Sequence, residues 1–272
     1  MTGRVDLRAE VLVTTTSVDG TRIGAWRSGS GPPLLLVHGG TADHTRWRPV
    51  LPLLEPYATV YAVDRRGRGA SGDAPEYAVE LEFADVAAVV DAIGGTVDVV
   101  AHSYGALCAL GAALRTDGMR RLVLYEPPVL PPPRSTADDR MAELLAAGRR
   151  ADLVETFFRE IVGADDHQLR LIRAAPSWPA RVAAAHTVVR ERLIDPPYRF
   201  DAARYQGLDV PTLLIAGGNS APFLQASTKA VAAAVPGARV TVLPGEQHVA
   251  IDSAPERFTN AVLTFLREDG VR

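Results

Sequence analysis

Three features of this sequence predict an α/β fold, with a mostly parallel, doubly wound sheet of about eight strands and an inserted helical cap. Short apolar runs alternate with longer stretches in which apolar residues recur at helical spacing. Several of these runs are apolar throughout, which is typical of strands buried on both faces. One proline-rich interval carries helical patterns without a convincing strand. Such alternation is typical of a parallel sheet covered by helices on both faces.

The elements follow in order along the chain. Two alternating segments, 9–16 and 21–28, flank the turn signal Asp19-Gly20 and predict a hairpin. Short apolar runs predict the remaining strands at 34–37, 59–63, 97–101, 121–125, 212–216 and 239–243. Helical spacing predicts helices at 45–55, 79–92, 104–116, 222–234 and 253–267. The segment Ser253-Ala-Pro-Glu256 fits a capping box, so we expect Ser253 to cap the last helix.

The alternation stops between Pro127 and about Tyr205. A cluster of prolines makes a stiff exit from the predicted sheet. Helical patterns follow at 136–148, 151–162, 167–174 and 178–193, with apolar residues at helical spacing. We therefore predict a core domain formed by residues 1–126 and 206–272, and a helical cap formed by residues 127–205.

Composition narrows the classes of function. The chain has 272 residues, 47% of them apolar, and a net charge of −3, which gives no reason to expect nucleic acid as a partner. No segment reaches membrane-spanning length, and the N-terminus has no apolar signal core. Cys108 is the single cysteine, so neither an internal disulfide nor a cysteine metal cluster is expected. We expect a cytoplasmic monomer or homodimer that acts on a small molecule without a cofactor or metal.

The most informative segment runs from Val99 to Ala106. A β-branched strand pattern ends, Ser103 stands at the break, and a helical pattern begins at once. This is the strand–turn–helix context of a nucleophile elbow, which holds a serine hydroxyl exposed at a sharp turn. Gly105 lets the neighbouring backbone approach the turn, and Ala101 is small enough to stand where glycine is usual. Ser103 is therefore the predicted nucleophile.

Other chemically able side chains also follow predicted strands. The segment 38–41 follows one strand, Glu126 follows another, and His248 lies in the loop after the strand at 239–243. Ligands of open α/β sheets bind beyond the carboxyl ends of the strands, where these groups should meet. The chain order of the candidates is serine, acid, histidine. Ser103 needs a base such as His248 to take its proton before it becomes a strong nucleophile.

With these motifs, the sequence resembles the α/β-hydrolase superfamily over nearly its whole length. The resemblance rests on the His38-Gly39-Gly40 loop, the Asp64–Ser71 turn, the elbow at Ser103 and the late His248. It implies a triad of nucleophile, acid and histidine. It also implies an oxyanion hole made by the backbone N–H groups of Gly40 and Tyr104. Epoxide hydrolases and dehalogenases of this fold use a carboxylate nucleophile, so Ser103 disfavours both.

The acid is where this chain departs from the common pattern of the family. Many members carry the acid after the seventh strand, where this chain has Asn219. An amide accepts a hydrogen bond from histidine but carries no charge to stabilise the imidazolium. Certain haloalkane dehalogenases place the acid after the sixth strand instead, and Glu126 occupies that position. We predict Glu126 as the acid, with a degraded triad at Asn219 as the alternative.

The substrate is predicted less sharply than the chemistry. Aromatic and apolar residues of the cap and core are candidates for a substrate pocket, although most such residues simply pack. The candidates are His44, Trp47, Val129, Phe157, Phe158, Trp178 and Phe223.

Three functions remain open on the sequence alone. The first is a cofactor-free serine hydrolase that cleaves a small to medium, partly hydrophobic ester, lactone or thioester through an acyl-enzyme. The second is a lyase or cyclase that uses the Ser103–His248 pair for acid–base chemistry, because a fold does not fix a function. The third is a non-catalytic binding protein, which Asn219 keeps under consideration.

Overall fold

The computed structural model describes residues 10–193 and 197–268. Residues 1–9 and 269–272 of the predicted core, and 194–196 of the predicted cap, lie outside the described residues. The described chain contains a sheet of eight strands, ordered β1-β2-β4-β3-β5-β6-β7-β8. These are β1 (Val11–Thr16), β2 (Arg22–Gly29), β3 (Pro33–Val37), β4 (Thr59–Val63), β5 (Val97–His102), β6 (Met119–Tyr125), β7 (Thr212–Gly217) and β8 (Arg239–Leu243). Strand β2 runs antiparallel to both neighbours, and β3 to β8 are parallel, which confirms the predicted fold.

Helices cover both faces of this sheet and form the cap. They are α1 (Leu51–Leu54), α2 (Val79–Ile93), α3 (Tyr104–Ala112), α4 (Thr136–Ala146), α5 (Arg150–Thr156), α6 (Asp166–Ala174), α7 (Trp178–Ala183), α8 (Ala185–Leu193), α9 (Pro222–Ala234), α10 (Ala250–Ser253) and α11 (Pro255–Leu266). Among the described residues, no helix is both long and apolar enough to traverse a bilayer.

The continuous apolar runs of the central strands supply two cores at once. Successive side chains of a strand point to opposite faces. In β3, Leu35 and Val37 join the cluster that contains α2, α3 and α9, whereas Leu34 and Leu36 join the cluster that contains α1 and α11. The central sheet is therefore buried on both sides, and its chemistry is confined to the ends of the strands.

The segment between β6 and β7 contains α4 to α8 and a cluster of its own. Met141, Leu153, Val154 and Val188 are buried in this cluster. A separate apolar cluster is what an independent layer of helices requires, since each helix must bury its apolar stripe against a neighbour. The arrangement supports the proposed division into a core and a cap.

The structure corrects several local predictions. The last helix begins at Pro255 with Ala254 at its N-cap, and no side chain caps it. Ser253 instead ends α10, and its hydroxyl bonds Glu246. The predicted helix 178–193 divides into α7 and α8 at Ala184, and the predicted helix 151–162 changes at Phe157 into a π-helical segment, Phe157–Val162.

Candidate active site

Ser103 stands at the turn between β5 and α3. Its backbone φ of 55° is positive, and a residue other than glycine adopts such a conformation at a cost of roughly 1–3 kcal/mol. The strain is held by the sheet, because the Ser103 N–H donates to the carbonyl of Tyr125 at 2.8 Å. The backbone therefore fixes the hydroxyl at the carboxyl end of the central strands.

Two glycines make room for this turn. A Cβ on Gly105 would lie 2.2 Å from the carbonyl oxygen of His38, so the prediction of a close backbone approach there is confirmed. A Cβ on Gly39 would lie 2.8 Å from the Cβ of Ser103. At Gly40 the nearest atom would be 3.4 Å away, an ordinary contact. The close approach to the nucleophile is thus made by Gly39 rather than by Gly40.

A chain of hydrogen bonds joins Ser103, His248 and Glu126. Nε2 of His248 lies 2.9 Å from Oγ of Ser103, and Nδ1 lies 2.6 Å from Oε2 of Glu126. Because a carboxylate only accepts, Nδ1 carries the proton and Nε2 is left to accept the proton of the serine hydroxyl. This is the tautomer that a general base requires.

Glu126 is fully buried and positioned by β7. Its φ of 49° turns the chain away from the end of β6, and its N–H donates to the carbonyl of Ile215 at 3.1 Å. Oε1 accepts from the N–H of Gly217 at 2.8 Å, so each carboxylate oxygen has its own partner. Asn219 is exposed, and its amide donates to the carbonyl of Gly245 at 3.4 Å. The structure therefore brings Glu126, rather than Asn219, to His248.

Gly40 and Tyr104 both face the cavity beside Ser103. Tyr104 is the first residue of α3, and its N–H is among those that a helix leaves without an intrahelical acceptor. The partial positive charge of the helix N-terminus also favours negative charge at this point. These positions suit the predicted oxyanion hole.

Two further histidines brace the loops of the site. His38 donates from Nδ1 to the carbonyl of Gly39 at 2.8 Å, and its Nε2 accepts from the N–H of Arg65 at 3.1 Å. His102 donates from Nε2 to the carbonyl of His248 at 3.0 Å. Burial is the main cause that lowers the pKa of both rings, which keeps them neutral. Their role is to hold the loops of Gly40 and His248.

Comparisons of the chain with known protein families and solved structures agree with this geometry. A model of the alpha/beta hydrolase family matches residues 34–261. The chain belongs to the α/β-hydrolase family. A solved α/β-hydrolase from Sphaerobacter thermophilus is 37% identical, with a TM-score of 0.80 over 93% of this chain and 100% of that one. A solved esterase from a Rhodococcus species is 25% identical, with a TM-score of 0.76 over 95% and 99% of the two chains.

A curated relative adds a shorter match. N-formylmaleamate deformylase from Pseudomonas putida is 35% identical over 127 residues, which span 45% of this chain and 47% of that protein. The matched stretch thus covers about half the length of that relative. Together with the family match, these similarities identify the chain as an α/β-hydrolase enzyme.

A cavity of about 120 Å³ opens above Ser103 in this hydrolase, and we call it the main cavity. Phe157 and Phe223, two of the predicted pocket residues, line it. Its other walls come from the proline-rich exit, the π-helical segment, α3, α8 and α9. They include Leu107, Pro128, Pro131, Pro132, Ile161, Val162, Val188, Glu191, Arg192, Pro197, Tyr198 and Leu224. The lining is mostly apolar, with charged side chains on one side.

The pocket prediction is wrong for four residues. Trp47 and Val129 are buried in the two core clusters, and Trp178 packs against the cap cluster. His44 bonds Asp64 at 2.8 Å, beside the sheet. Phe158 does not line the main cavity but a small recess next to it.

An ion-pair cluster beneath the cap was missed from the sequence. Glu191 of α8 accepts from Arg65 at 2.7 Å and also from Arg68, so a cap carboxylate bonds two core arginines. Arg65 also donates two hydrogen bonds to Glu82. Burial alone would raise the pKa of Glu82, but the positive charges of Arg65 and Arg68 outweigh burial and lower this pKa to about 2. The arginine-rich run after β4 was the sequence signal for this cluster. However, Glu191, the cap partner of Arg65, lies 126 residues away along the chain.

Asp43, His44 and Asp64 lie close enough together to share a metal ion. Each of the three side chains already has a protein hydrogen-bond partner. Asp64 accepts from Trp26, His44 and Ala70, and Asp43 accepts from the N–H of Thr45. The cluster therefore braces the loop that follows Gly40.

Proposed function

We propose that this chain is a serine hydrolase that cleaves a small to medium, partly hydrophobic ester, lactone or thioester through an acyl-enzyme on Ser103. The observation that carries the proposal is the unbroken hydrogen-bond chain from Ser103 through His248 to Glu126. Burial of Glu126 strengthens its interaction with His248, because charges interact more strongly away from water.

The first half-reaction forms the acyl-enzyme. As Oγ of Ser103 attacks the carbonyl carbon, its proton passes to Nε2 of His248. Glu126 stabilises the imidazolium that results. The N–H groups of Gly40 and Tyr104 bind the oxyanion, and loss of one such donor typically costs about 100- to 1,000-fold in rate.

The acyl-enzyme forms when the tetrahedral intermediate collapses, His248 gives its proton to the leaving oxygen or sulfur, and the bond from that atom to the carbonyl carbon breaks. In the second half-reaction, which releases the acid, His248 takes a proton from water as the water attacks the acyl carbon. When the tetrahedral intermediate collapses, His248 returns the proton to Ser103. No redox step or external group is required.

The lining of the main cavity supports a partly apolar substrate, since apolar walls bind apolar groups and a few polar groups orient them. The curated relative is named for the removal of a formyl group from N-formylmaleamate. That name supports attack on a carbonyl carbon and adds small N-acyl compounds to the substrates worth testing.

The decisive experiment is intact-mass measurement after treatment with a fluorophosphonate probe. An activated serine displaces fluoride and retains the phosphonyl group, so we expect one adduct on the wild-type protein and none on Ser103→Ala. The exposed Ser30 offers a matched control, and Ser30→Ala should be labelled like the wild type.

Absence of an adduct on folded wild-type protein would contradict the proposal. Acid–base chemistry of the lyase or cyclase type, without a covalent intermediate, would then explain the Ser103–His248 pair better. If Ser103 is labelled, fresh protein that has not met the probe should be assayed for turnover of esters, thioesters and lactones.

A further inference from the structure

A small recess adjoins the main cavity at the catalytic serine. Both spaces are bounded by Gly40, Ser103 and His248, so a carbonyl held at Ser103 has access to each. The recess measures about 20 Å³, against about 120 Å³ for the main cavity. A substrate that occupied both spaces would place a compact end in the recess and its larger part in the main cavity.

Two buried arginines line this recess. Arg181 of α7 is 4% exposed and Arg46 is 2% exposed. Arg46 lies 2.7 Å from the carboxylate of Asp252. Arg181 makes one long hydrogen bond, 3.4 Å to the hydroxyl of Thr41, and its Nε has no acceptor among the described residues. Within that same part of the chain, no carboxylate lies within ion-pair distance of Arg181.

This arrangement is costly unless an anion completes it. A buried charge without an ionic partner loses its hydration, and the contact of the Arg181 guanidinium with the Phe158 ring, 5.3 Å from its centroid, offsets only part of that loss. Burial and the nearby charge of Arg46 together lower the pKa of Arg181 to about 10. The charges of Asp252 and Asp43 act in the opposite direction. Arg181 remains a cation at neutral pH, so its cost persists under ordinary conditions. Such unfavourable groups are typically retained where function needs them.

We propose that the substrate carries a carboxylate on its compact end, which enters the recess and pairs with Arg181. The inference rests on the proposed function for the position of the scissile carbonyl at Ser103. The guanidinium presents a planar fork of donors that matches a carboxylate. The small volume favours a planar carboxylate over a bulkier phosphate or sulfonate. The neutral His102, which also lines the recess, brings no competing charge.

The kinetic test uses esters that differ only in this charge. Monohexyl succinate carries a carboxylate in its acyl part, and hexanoyloxyacetate carries one in its leaving group. Hexyl levulinate and acetonyl hexanoate replace each carboxylate with a methyl ketone. In at least one pair we expect kcat/KM to favour the acid by about 10- to 100-fold, which is the range for a hydrogen-bonded charge pair. Arg181→Gln should remove that preference, so that the acid and its matched ketone are cleaved with kcat/KM values within about threefold of each other.

The controls separate binding from folding. Arg170 is an exposed arginine of the same cap, and Arg170→Gln should keep the preference. Arg181→Met retains the length of the side chain without its charge. Its Tm should equal or exceed that of wild type, because an unpaired buried charge is removed.

A binding measurement makes the inference independent of turnover. Calorimetry on Ser103→Ala should show that the preferred acid, monohexyl succinate or hexanoyloxyacetate, binds about 10- to 100-fold more weakly once Arg181→Gln is added. If Ser103 is labelled and esters are cleaved without any charge preference, the carboxylate proposal is overturned and the hydrolase proposal stands. If neither labelling nor turnover occurs but Arg181 is still needed for binding of the acid, the recess is confirmed and the proposed chemistry fails.

Discussion

Glu126 reaches His248 because β6 ends one residue before it and β7 supplies a backbone donor to hold it. Glu126→Gln keeps the shape of the side chain but removes the negative charge that stabilises the imidazolium. We expect kcat for an ester substrate to fall roughly 10⁴-fold, as for the equivalent change in a serine protease. Steady-state kinetics with a matched amount of folded protein would measure the loss.

Asn219 provides the matched control for this change. Its side chain bonds Gly245 at the surface, so Asn219→Ala should leave kcat within about threefold of wild type, as is usual for surface sites. If Asn219→Ala proved more damaging than Glu126→Gln, the acid would be misassigned.

The sequence located the reactive side chains better than the pocket. Ser103, Glu126 and His248 each follow a strand, and strand ends are visible as a change in periodicity. Trp47 and Val129 were misplaced because a bulky apolar side chain suits a core and a pocket equally well. The local pattern does not state which neighbour fills the space beyond a side chain.

The cap helix α8 is attached to the core by Glu191. Glu191 is the acid partner of buried Arg68 among the described residues, and it also bonds Arg65. Removal of one member of a buried ion pair leaves an uncompensated charge, at a cost of about 3–5 kcal/mol. We therefore expect Glu191→Ala to lower the free energy of unfolding by that amount in denaturant titrations.

Glu155→Ala is the corresponding surface change on the cap. Glu155 pairs with Arg173 at 3.0 Å, but both side chains are substantially exposed, so the loss should be at most about 1 kcal/mol. Equal effects of the two substitutions would show that Glu191 does not act as a buried partner.

Predicted helix boundaries were wrong where two local sequence signals pointed to different positions. Ser253 precedes a proline and a glutamate at capping-box spacing, yet its hydroxyl bonds Glu246 from the histidine loop. The proline, which suits the first turn of a helix, sets the start of α11 instead. In the cap, the change to a π-helical segment at Phe157 leaves the apolar spacing of 151–162 looking like one continuous α-helix, so the sequence pattern did not reveal it.

The pair His44–Asp64 should make the stability of the whole protein depend on pH. Burial opposes charge on His44, but the hydrogen bond and charge of Asp64 outweigh it and raise the pKa of His44 above 6.5. A raised folded-state pKa contributes stability that is complete below the unfolded value and is lost as pH rises through the folded value. The difference in unfolding free energy between wild type and His44→Gln should be larger near pH 6 than near pH 9.

His186 offers a control with the opposite sign. Burial lowers the pKa of this cap histidine, so its neutral form is favoured in the folded protein. For His186→Gln, wild type should lose stability relative to the variant as pH falls below about 6.5. The same slope for both histidines would contradict the assignment of the His44–Asp64 pair.

The overall architecture was predictable because the alternation of strands and helices leaves few arrangements of a parallel sheet. The way in which the cap packs on the core could not be predicted from the sequence. It depends on pairs such as Arg65–Glu191, which join residues far apart in the chain, and a charged residue on a helix usually faces water. The same reason kept Arg181 out of the predicted site.

Because the helical segment is inserted between two strands, the residues of the catalytic triad and many of the residues that line the substrate cavities lie in separate parts of the sequence. Ser103, Glu126 and His248 all lie outside residues 127–205, whereas Arg181 and the whole π-helical segment lie inside. Mutations within this single interval can alter which molecules are accepted while the reactive groups keep their geometry. Substrate specificity can therefore evolve through substitutions in the cap while the catalytic triad is unchanged.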